Sequence, residues 1–323
     1  MEQPNNIQAR NNISGAYYAG RVLISVFRWF FLLSIGFIIV YPLIYMLSMA
    51  LRAPADYWDV TVVWIPKHFT LQHFDMIVNT VGLWKPMLNS AIIAFGSTVG
   101  QLFVGAMTGY GFARFKFKGN TFLFMMVIVT IMMPTQMIQI PSYLTMIDLD
   151  FFGIIKAITG HGTGIRLTDT FAAFIVPAFL GQGMRAGLFI LIFRMFFLTM
   201  PVELEEAARI DGCGHFRTYI SVMLPNAKTP LFICGMFSIV WYWADYFGPF
   251  SLLFSENKKP LAVSLYNIHA IISRFLDDSQ QNNSYIMPMW NAALLFGLSP
   301  LIIIFLFAQK SFKQGLERSG IVG

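Results

Sequence analysis

The 323 residues are 56% hydrophobic and only 12% charged, with 33 Phe and 19 Met, a balance that no soluble core could hide and that fits a lipid-embedded helical bundle. The formal net charge of +6 is spread over the ends of apolar runs, without a basic stretch interleaved with stacking aromatics, so nucleic acid is excluded as a partner. Two cysteines far apart, Cys213 and Cys234, and five single histidines give neither a disulfide staple nor metal-ligand spacing, and His161 and His269 read as loop residues.

Six windows supply the roughly 20 mostly apolar residues that a hydrocarbon crossing needs. They predict an all-α integral membrane protein with six transmembrane helices. A cytoplasmic segment, 1–28, precedes spans at about 29–51, 87–109, 121–141, 170–197, 229–254 and 287–309, and a cytoplasmic tail, 310–323, follows. The first apolar run is too long for a signal-peptide core and lacks a small-residue cleavage site, so it reads as an uncleaved anchor. An even number of spans puts both termini on one side. That side holds 13 of the 22 Lys and Arg, and Arg114, Lys116 and Lys118 in one short loop are its strongest vote for the cytoplasm.

The second span carries Gly96, Gly100, Gly105 and Gly109, two small-xxx-small pairs suited to close helix packing. In the third, Pro134 and Pro141 kink a stretch whose Gln136 and Gln139 need polar partners inside the bundle. The fourth gathers Pro177, Gly181, Gln182, Gly183 and Arg185, a hinge signal; Arg185 reads as paired or snorkelling to water rather than as a gate. In the fifth, Asp245 sits among Trp241, Trp243 and Tyr246, and a carboxylate inside a span is a functional suspect by default. Outside the membrane, 142–169 is a long loop. The loops 52–86 and 255–286 supply Trp58, Trp64, Trp84, Asp277 and Asp278 as a docking rim.

Between the fourth and fifth spans lies a stretch of different character, EEAARIDGCGHFRTYISVMLP over 205–225. Its first helix is expected over 202–210, with acids in the opening turn and a left-handed cap at Gly212. The second is expected over 215–224, broken by Pro225. Two short polar helices held between apolar runs make a projecting elbow on the cytoplasmic side. The chain has no phosphate-binding GxxxxGKS loop, no HExxH, no paired CxxC and no GxSxG, so uphill transport would draw its energy from another polypeptide.

Glu206-Ala207-Ala208, three residues, Gly212, nine residues, Val222, one residue, then Leu224-Pro225 resembles the EAA loop of inner-membrane permease subunits of binding-protein-dependent ABC importers. The one departure is Val222 in place of the usual isoleucine. PVELEEAARIDG, the group Trp243-Ala244-Asp245-Tyr246-Phe247 and the ending GLERSGIVG look like the carbohydrate-type branch, which includes the smaller permease of the maltose transporter. The similarity runs from about Met87 to the C-terminus. It implies the type I ABC importer permease fold with a cytoplasmic coupling-helix hairpin, here 199–226, and no catalysis by this chain.

The resemblance further implies a multi-pass subunit of the bacterial inner membrane. Its expected partners are a second permease in a heterodimer, two cytoplasmic ATPase subunits that carry ATP-Mg, and an extracytoplasmic solute-binding protein. This chain itself would bind no cofactor and no metal. Glu203, Glu205 and Glu206 would face basic groove residues of an ATPase, with Ala207 and Ala208 allowing close approach, Gly212 reversing the chain, and Asp211, Leu224 and Pro225 completing the coupling loop. For a sugar path the candidates are Trp241, Trp243, Asp245, Tyr246, Gln136, Gln139 and Gln182, since aromatic faces stack on sugar rings and carboxylates accept from hydroxyls. The competing assignment has the aromatics packing between helices and Asp245 holding a neighbouring subunit. The usual asparagine before the aspartate is Ala244 here. A same-fold importer of a non-sugar solute is the alternative; a secondary transporter or channel would show inverted repeats and ionisable relays, and neither is visible.

Overall fold

The computed structural model of the chain describes residues 5–150, 153–160, 163–276 and 283–320; the side chains of 5–19, 135, 136, 159, 283 and 310–320 lie outside that description. Among the described residues the protein is helical, apart from two isolated bridges that pair Arg52 with Phe69 and Leu149 with Ile165. Three helices are long and apolar enough to cross a membrane alone, over Gly20–Ala50, Trp84–Arg114 and Ser284–Gln309. Further helices reach that length only as bent pairs.

Helix α1 (Asn5–Ala50) leaves its apolar side chains from Val22 to Leu47 largely exposed and runs beside the last helix. Helix α2 (Trp84–Arg114) is the hub. Its flanks meet four later helices: α5 (Ala172–Phe179), α6 (Ala186–Thr199), α9 (Lys228–Ala244) and, toward its Trp84 end, α11 (Leu261–Tyr266). Between them come α3 (Asn120–Met132) and α4 (Thr135–Ile147), bent by 108° at their junction beside Pro134, and the elbow helices α7 (Glu203–Ile210) and α8 (His215–Thr218). After α9 come α10 (Phe247–Leu252), α12 (Ile268–Ser273) and α13 (Asn283–Gly320).

Three of the expected spans are thus interrupted. The stretch 170–197 divides into α5 and α6 around 180–185, where Gly181 and Arg185 take left-handed backbone angles of 76° and 55°. The stretch 229–254 breaks at Asp245, which ends α9 in an extended conformation. The last helix runs past 309 to Gly320. Asp277, Asp278 and His161 fall outside the described residues.

The glycines of α2 explain why its neighbours come so close. A Cβ on Gly109 would lie 2.6 Å from the Phe193 Cβ and 2.9 Å from the Arg194 amide nitrogen, so α2 and α6 touch backbone to backbone there. Gly96 faces Ile175 and Gly100 faces Phe179 on α5. This close approach lets dispersion replace the hydrophobic drive that lipid cannot supply. Several buried polar side chains of α2 are partnered: Thr98 donates to Ser238 on α9 at 2.8 Å, and Asn89 donates to the carbonyls of Asn257 and Lys259 at 3.0 Å each.

On the opposite side of the bundle from the elbow, Asp169 latches the start of α5 to the loop after α10. Its carboxylate accepts from the Phe254 and Ser255 amides at 3.0 and 2.9 Å and from the Ser255 hydroxyl, and it pairs with Lys258 at 3.1 Å. Asp169 itself has φ of 59°, an angle that Asp tolerates better than most residues. The long segment after α4 is closed in the same manner, with Asp148 paired to Lys156 at 2.6 Å and Asp150 accepting from the Ile155 amide at 3.0 Å.

Two outcomes test this packing. Gly109→Ala should destabilise the detergent-solubilised protein by about 1–3 kcal/mol through overpacking, whereas Gly105→Ala, whose nearest neighbour is 3.6 Å away, should leave the unfolding midpoint unchanged or slightly raised. The Ser255 hydroxyl and amide hold the Asp169 carboxyl below the usual carboxylate range. A depressed pKa contributes stability that is complete above the ordinary value and is lost as pH falls through the lowered one. Asp169→Asn should therefore speed hydrogen exchange at the Phe254 and Ser255 amides at neutral pH, and the wild type should match it only under strong acid.

Candidate functional site

The elbow is built on a well-formed C-terminal cap. Gly212 has φ of 80°, its amide donates to the Arg209 carbonyl at 3.0 Å, and the Cys213 amide reaches back to the Ala208 carbonyl at 2.9 Å. That is the double bond pattern of a Schellman motif, which needs a residue without a Cβ penalty at the left-handed position. The second helix passes through a π-turn at Tyr219–Met223 and continues to Asn226, so Pro225 does not break it as expected. The wider turn ahead of Pro225 accommodates a residue that has no amide to donate. The direction change comes at Ala227, where the chain bends by 77° into α9.

One face of the elbow is locked to the bundle. Glu205 is buried, with an oxygen 3.0 Å from Arg114 Nε at the end of α2. The Arg114 N–H does not point along that line, so the contact is Coulombic rather than a directed hydrogen bond. Arg114 Nη2 donates to the Met200 carbonyl at 2.6 Å, and Arg209 approaches the other Glu205 oxygen at 3.5 Å. Tyr110 closes the pocket, with ring centroids 5.1 Å from Tyr219 and 5.5 Å from Phe197. The other face is free in the chain: Ile210 is 86% exposed and Phe216 64% exposed, with Glu203, Glu206, Ala207, Asp211 and Arg217 also exposed.

The second feature is a cavity of about 660 Å³ where the broken helices meet. Gln139 of α4, Gln182 and Arg185 of the 180–185 loop, and Trp241 and Asp245 of α9 line it. The loop is held by its own backbone groups. Tyr242 accepts from the Met184 amide at 2.9 Å, and the Gln101 amide of α2 donates to the Met184 carbonyl while Ser238 donates to Gln101 at 3.2 Å. The Arg185 guanidinium lies 4.6 Å from the Trp241 ring centroid, and Phe189 and Phe237 stack on the same indole at 5.5 and 5.6 Å. Asp245 accepts from the Gly248 amide at 3.3 Å. Its walls differ in sign: Arg185 precedes the N-terminus of α6, and Asp245 caps the C-terminus of α9, so each charge carries the same sign as the helix end beside it.

Residues 101–318 match the family model described as binding-protein-dependent transport system inner membrane component. The chain belongs to that family. An arabinooligosaccharides transport system permease protein of Halalkalibacterium halodurans is 28% identical over 90% of this chain and 93% of its own length. A maltodextrin transport system permease protein of Bacillus subtilis is 26% identical over 94% and 98%, and an sn-glycerol-3-phosphate transport system permease protein of Salmonella typhimurium is 28% identical over 75% of each. Among solved structures, a chain from a bacterial ABC transporter involved in the import of the acidic polysaccharide alginate superposes with a TM-score of 0.68 at 21% identity, covering 96% of this chain and 98% of that one. The fold is that of a type I ABC importer permease, and the chain is a transport permease rather than an enzyme.

Within this permease the expected coupling residues divide by face. Glu203, Glu206, Ala207, Asp211 and Pro225 are exposed, Leu224 is half-buried, and Ala208 packs inward. Glu205 corrects the expectation that all three acids meet a partner: its position in the first turn of α7 turns it toward Arg114, where a guanidinium compensates its desolvation. Of the expected path residues, Gln139, Gln182, Trp241 and Asp245 line the cavity. Trp243 does not; it is buried and donates to the Gly297 carbonyl of α13 at 3.1 Å. Tyr246 packs on Tyr266 at 4.5 Å, away from the cavity, and the Gln136 side chain lies outside the described residues.

Sequence reasoning missed Gln101, Tyr242 and Arg114 as organisers of these sites. A buried glutamine in a glycine-rich span and an arginine at a span end carried weak signals, but the tyrosine carried none. Tyr242→Phe should leave the Met184 amide unsatisfied at a cost of about 1–3 kcal/mol, read as a lower unfolding midpoint of the purified permease in detergent.

Proposed function

We propose that this permease forms half of the passage of an ATP-driven importer, taking a sugar or oligosaccharide from an extracytoplasmic binding protein. Its elbow couples the passage to two cytoplasmic ATPase subunits that bind ATP-Mg, and a second permease completes the passage. The observation that carries this reading is the division of the elbow into two faces. One is fixed to the bundle through Glu205 and Ala208; the other presents Ile210, Phe216, Ala207 and the acids Glu203 and Glu206 outward. Exposed large apolar groups ringed by charge are the composition of a protein contact. Both termini are then cytoplasmic, in agreement with the basic loop after α2.

The cavity supports a polyhydroxylated solute. Gln139 and Gln182 each offer donors and an acceptor, Arg185 offers donors only, and Asp245 accepts. Trp241 has Arg185, Phe189 and Phe237 against it, so it serves as a platform for the guanidinium more than as an open stacking face. The sugar assignment draws on the permeases of arabinooligosaccharide and maltodextrin systems, and the glycerol-3-phosphate relative marks the alternative of a phosphorylated solute.

Two substitutions test the elbow. Ala207→Trp and Gly212→Val should leave membrane insertion intact and reduce solute uptake by about tenfold or more, because the first blocks approach of a partner and the second strains a left-handed backbone position. Uptake equal to wild type in both, with the protein present in the membrane, would remove the coupling role. The solute class is read by competing labelled neutral oligosaccharide uptake with glycerol 3-phosphate: the sugar assignment expects no competition.

A further inference from the structure

The elbow is joined to the bundle by chain at two places, and both are bends of 77°: from α6 into α7, and from the second elbow helix into α9. A body held only at its two ends can rock about the line between them. A third attachment from another helix removes that freedom. Arg114 and Glu205 supply one, with side chains 9% and 4% exposed and charged atoms 3.0 Å apart. Water is kept away by Tyr110, Phe197 and Tyr219, and Arg114 also holds the Met200 carbonyl at the entrance to the elbow.

A pair this buried contributes little net stability, because desolvation of both charges offsets their attraction, but losing one partner is costly and geometry is fixed while both remain. The helix behind Arg114 is continuous from Trp84 to Arg114. About 20 Å along it, Gln101 grips the Met184 carbonyl in the loop that lines the cavity, and farther on Asn89 holds the outer segment at Asn257 and Lys259. One unbroken rod therefore touches the elbow, the cavity loop and the outer loop.

We infer that the Arg114–Glu205 pair is the third mount of the elbow, and that through it α2 carries elbow displacement to the cavity loop at Met184. Arg114 and Glu205 are positioning residues in this scheme; neither meets solute or ATPase. The inference rests on the reading of the elbow's free face as an ATPase contact.

The test uses the complete importer, with both permeases, the ATPase subunits and the binding protein, in proteoliposomes supplied with the labelled oligosaccharide that wild type takes up. Glu205→Gln and Arg114→Gln are each expected to retain the ATPase subunits on purification and to hydrolyse ATP, while solute taken up per ATP falls about tenfold, the scale of an ordinary coupling free energy. Arg114→Lys, which keeps the charge, should recover a large part of that ratio. The double variant Arg114→Gln with Glu205→Gln leaves no buried charge unpaired, so it should fold as wild type and remain uncoupled. Wild-type uptake per ATP in the double variant overturns the inference, and so does loss of the ATPase subunits from the double variant, since the pair would then shape the docking face instead of transmitting its motion. Failure of the wild-type permease to retain any ATPase overturns the elbow reading itself, a result distinct from either.

Discussion

In hydrocarbon a peptide group without an internal partner costs several kcal/mol, and this constraint decides where the helices of this permease can break. Two interruptions, at 180–185 and at Asp245, bear on the same cavity. There the freed backbone groups of the first find side-chain partners: the Met184 amide and carbonyl are taken by Tyr242 and Gln101. Irregular backbone at membrane depth is tolerated where protein or a polar space receives it. The cavity and the broken helices are thus one feature, since the breaks supply polar groups that a continuous helix would have used up internally.

The breaks also set the electrostatics. Ending α9 at Asp245 and starting α6 after Arg185 brings a helix C-terminus with a carboxylate and a helix N-terminus with a guanidinium to one space. Each wall adds to the charge of its side chain. A neutral solute with many hydroxyls can donate to one wall and accept from the other, whereas a charged solute meets one wall of its own sign. The strained φ of Arg185 is held in place by the clamped residue before it, since local strain persists where the surrounding structure over-determines it.

The elbow follows a different logic. Its outward face keeps Ile210 and Phe216 in the open, whereas its inward face sinks Glu205 against Arg114 among aromatic rings. The short helices would be marginal alone. Their stability comes from the glycine cap, the π-turn before Pro225 and the packing of Tyr219 and Met223 in the buried cluster that holds Tyr110 and Phe197.

Much of this was written in the order of residues. Apolar runs longer than a bilayer needs, the small-residue spacing of α2, the left-handed cap at Gly212 and the polar insert between two spans are local properties, and period, length and turn chemistry reveal local properties directly. What the order of residues could not state is which polar group meets which. Glu205 and Glu206 are neighbours with the same chemistry, yet one is buried on Arg114 and the other faces outward, because the register of α7 against α2 is fixed by contacts 91 residues apart in sequence. Trp241 and Trp243 likewise part company, one to the cavity and one to the Gly297 carbonyl. Burial and pairing depend on the mutual placement of several helices, so only the tertiary structure decided them.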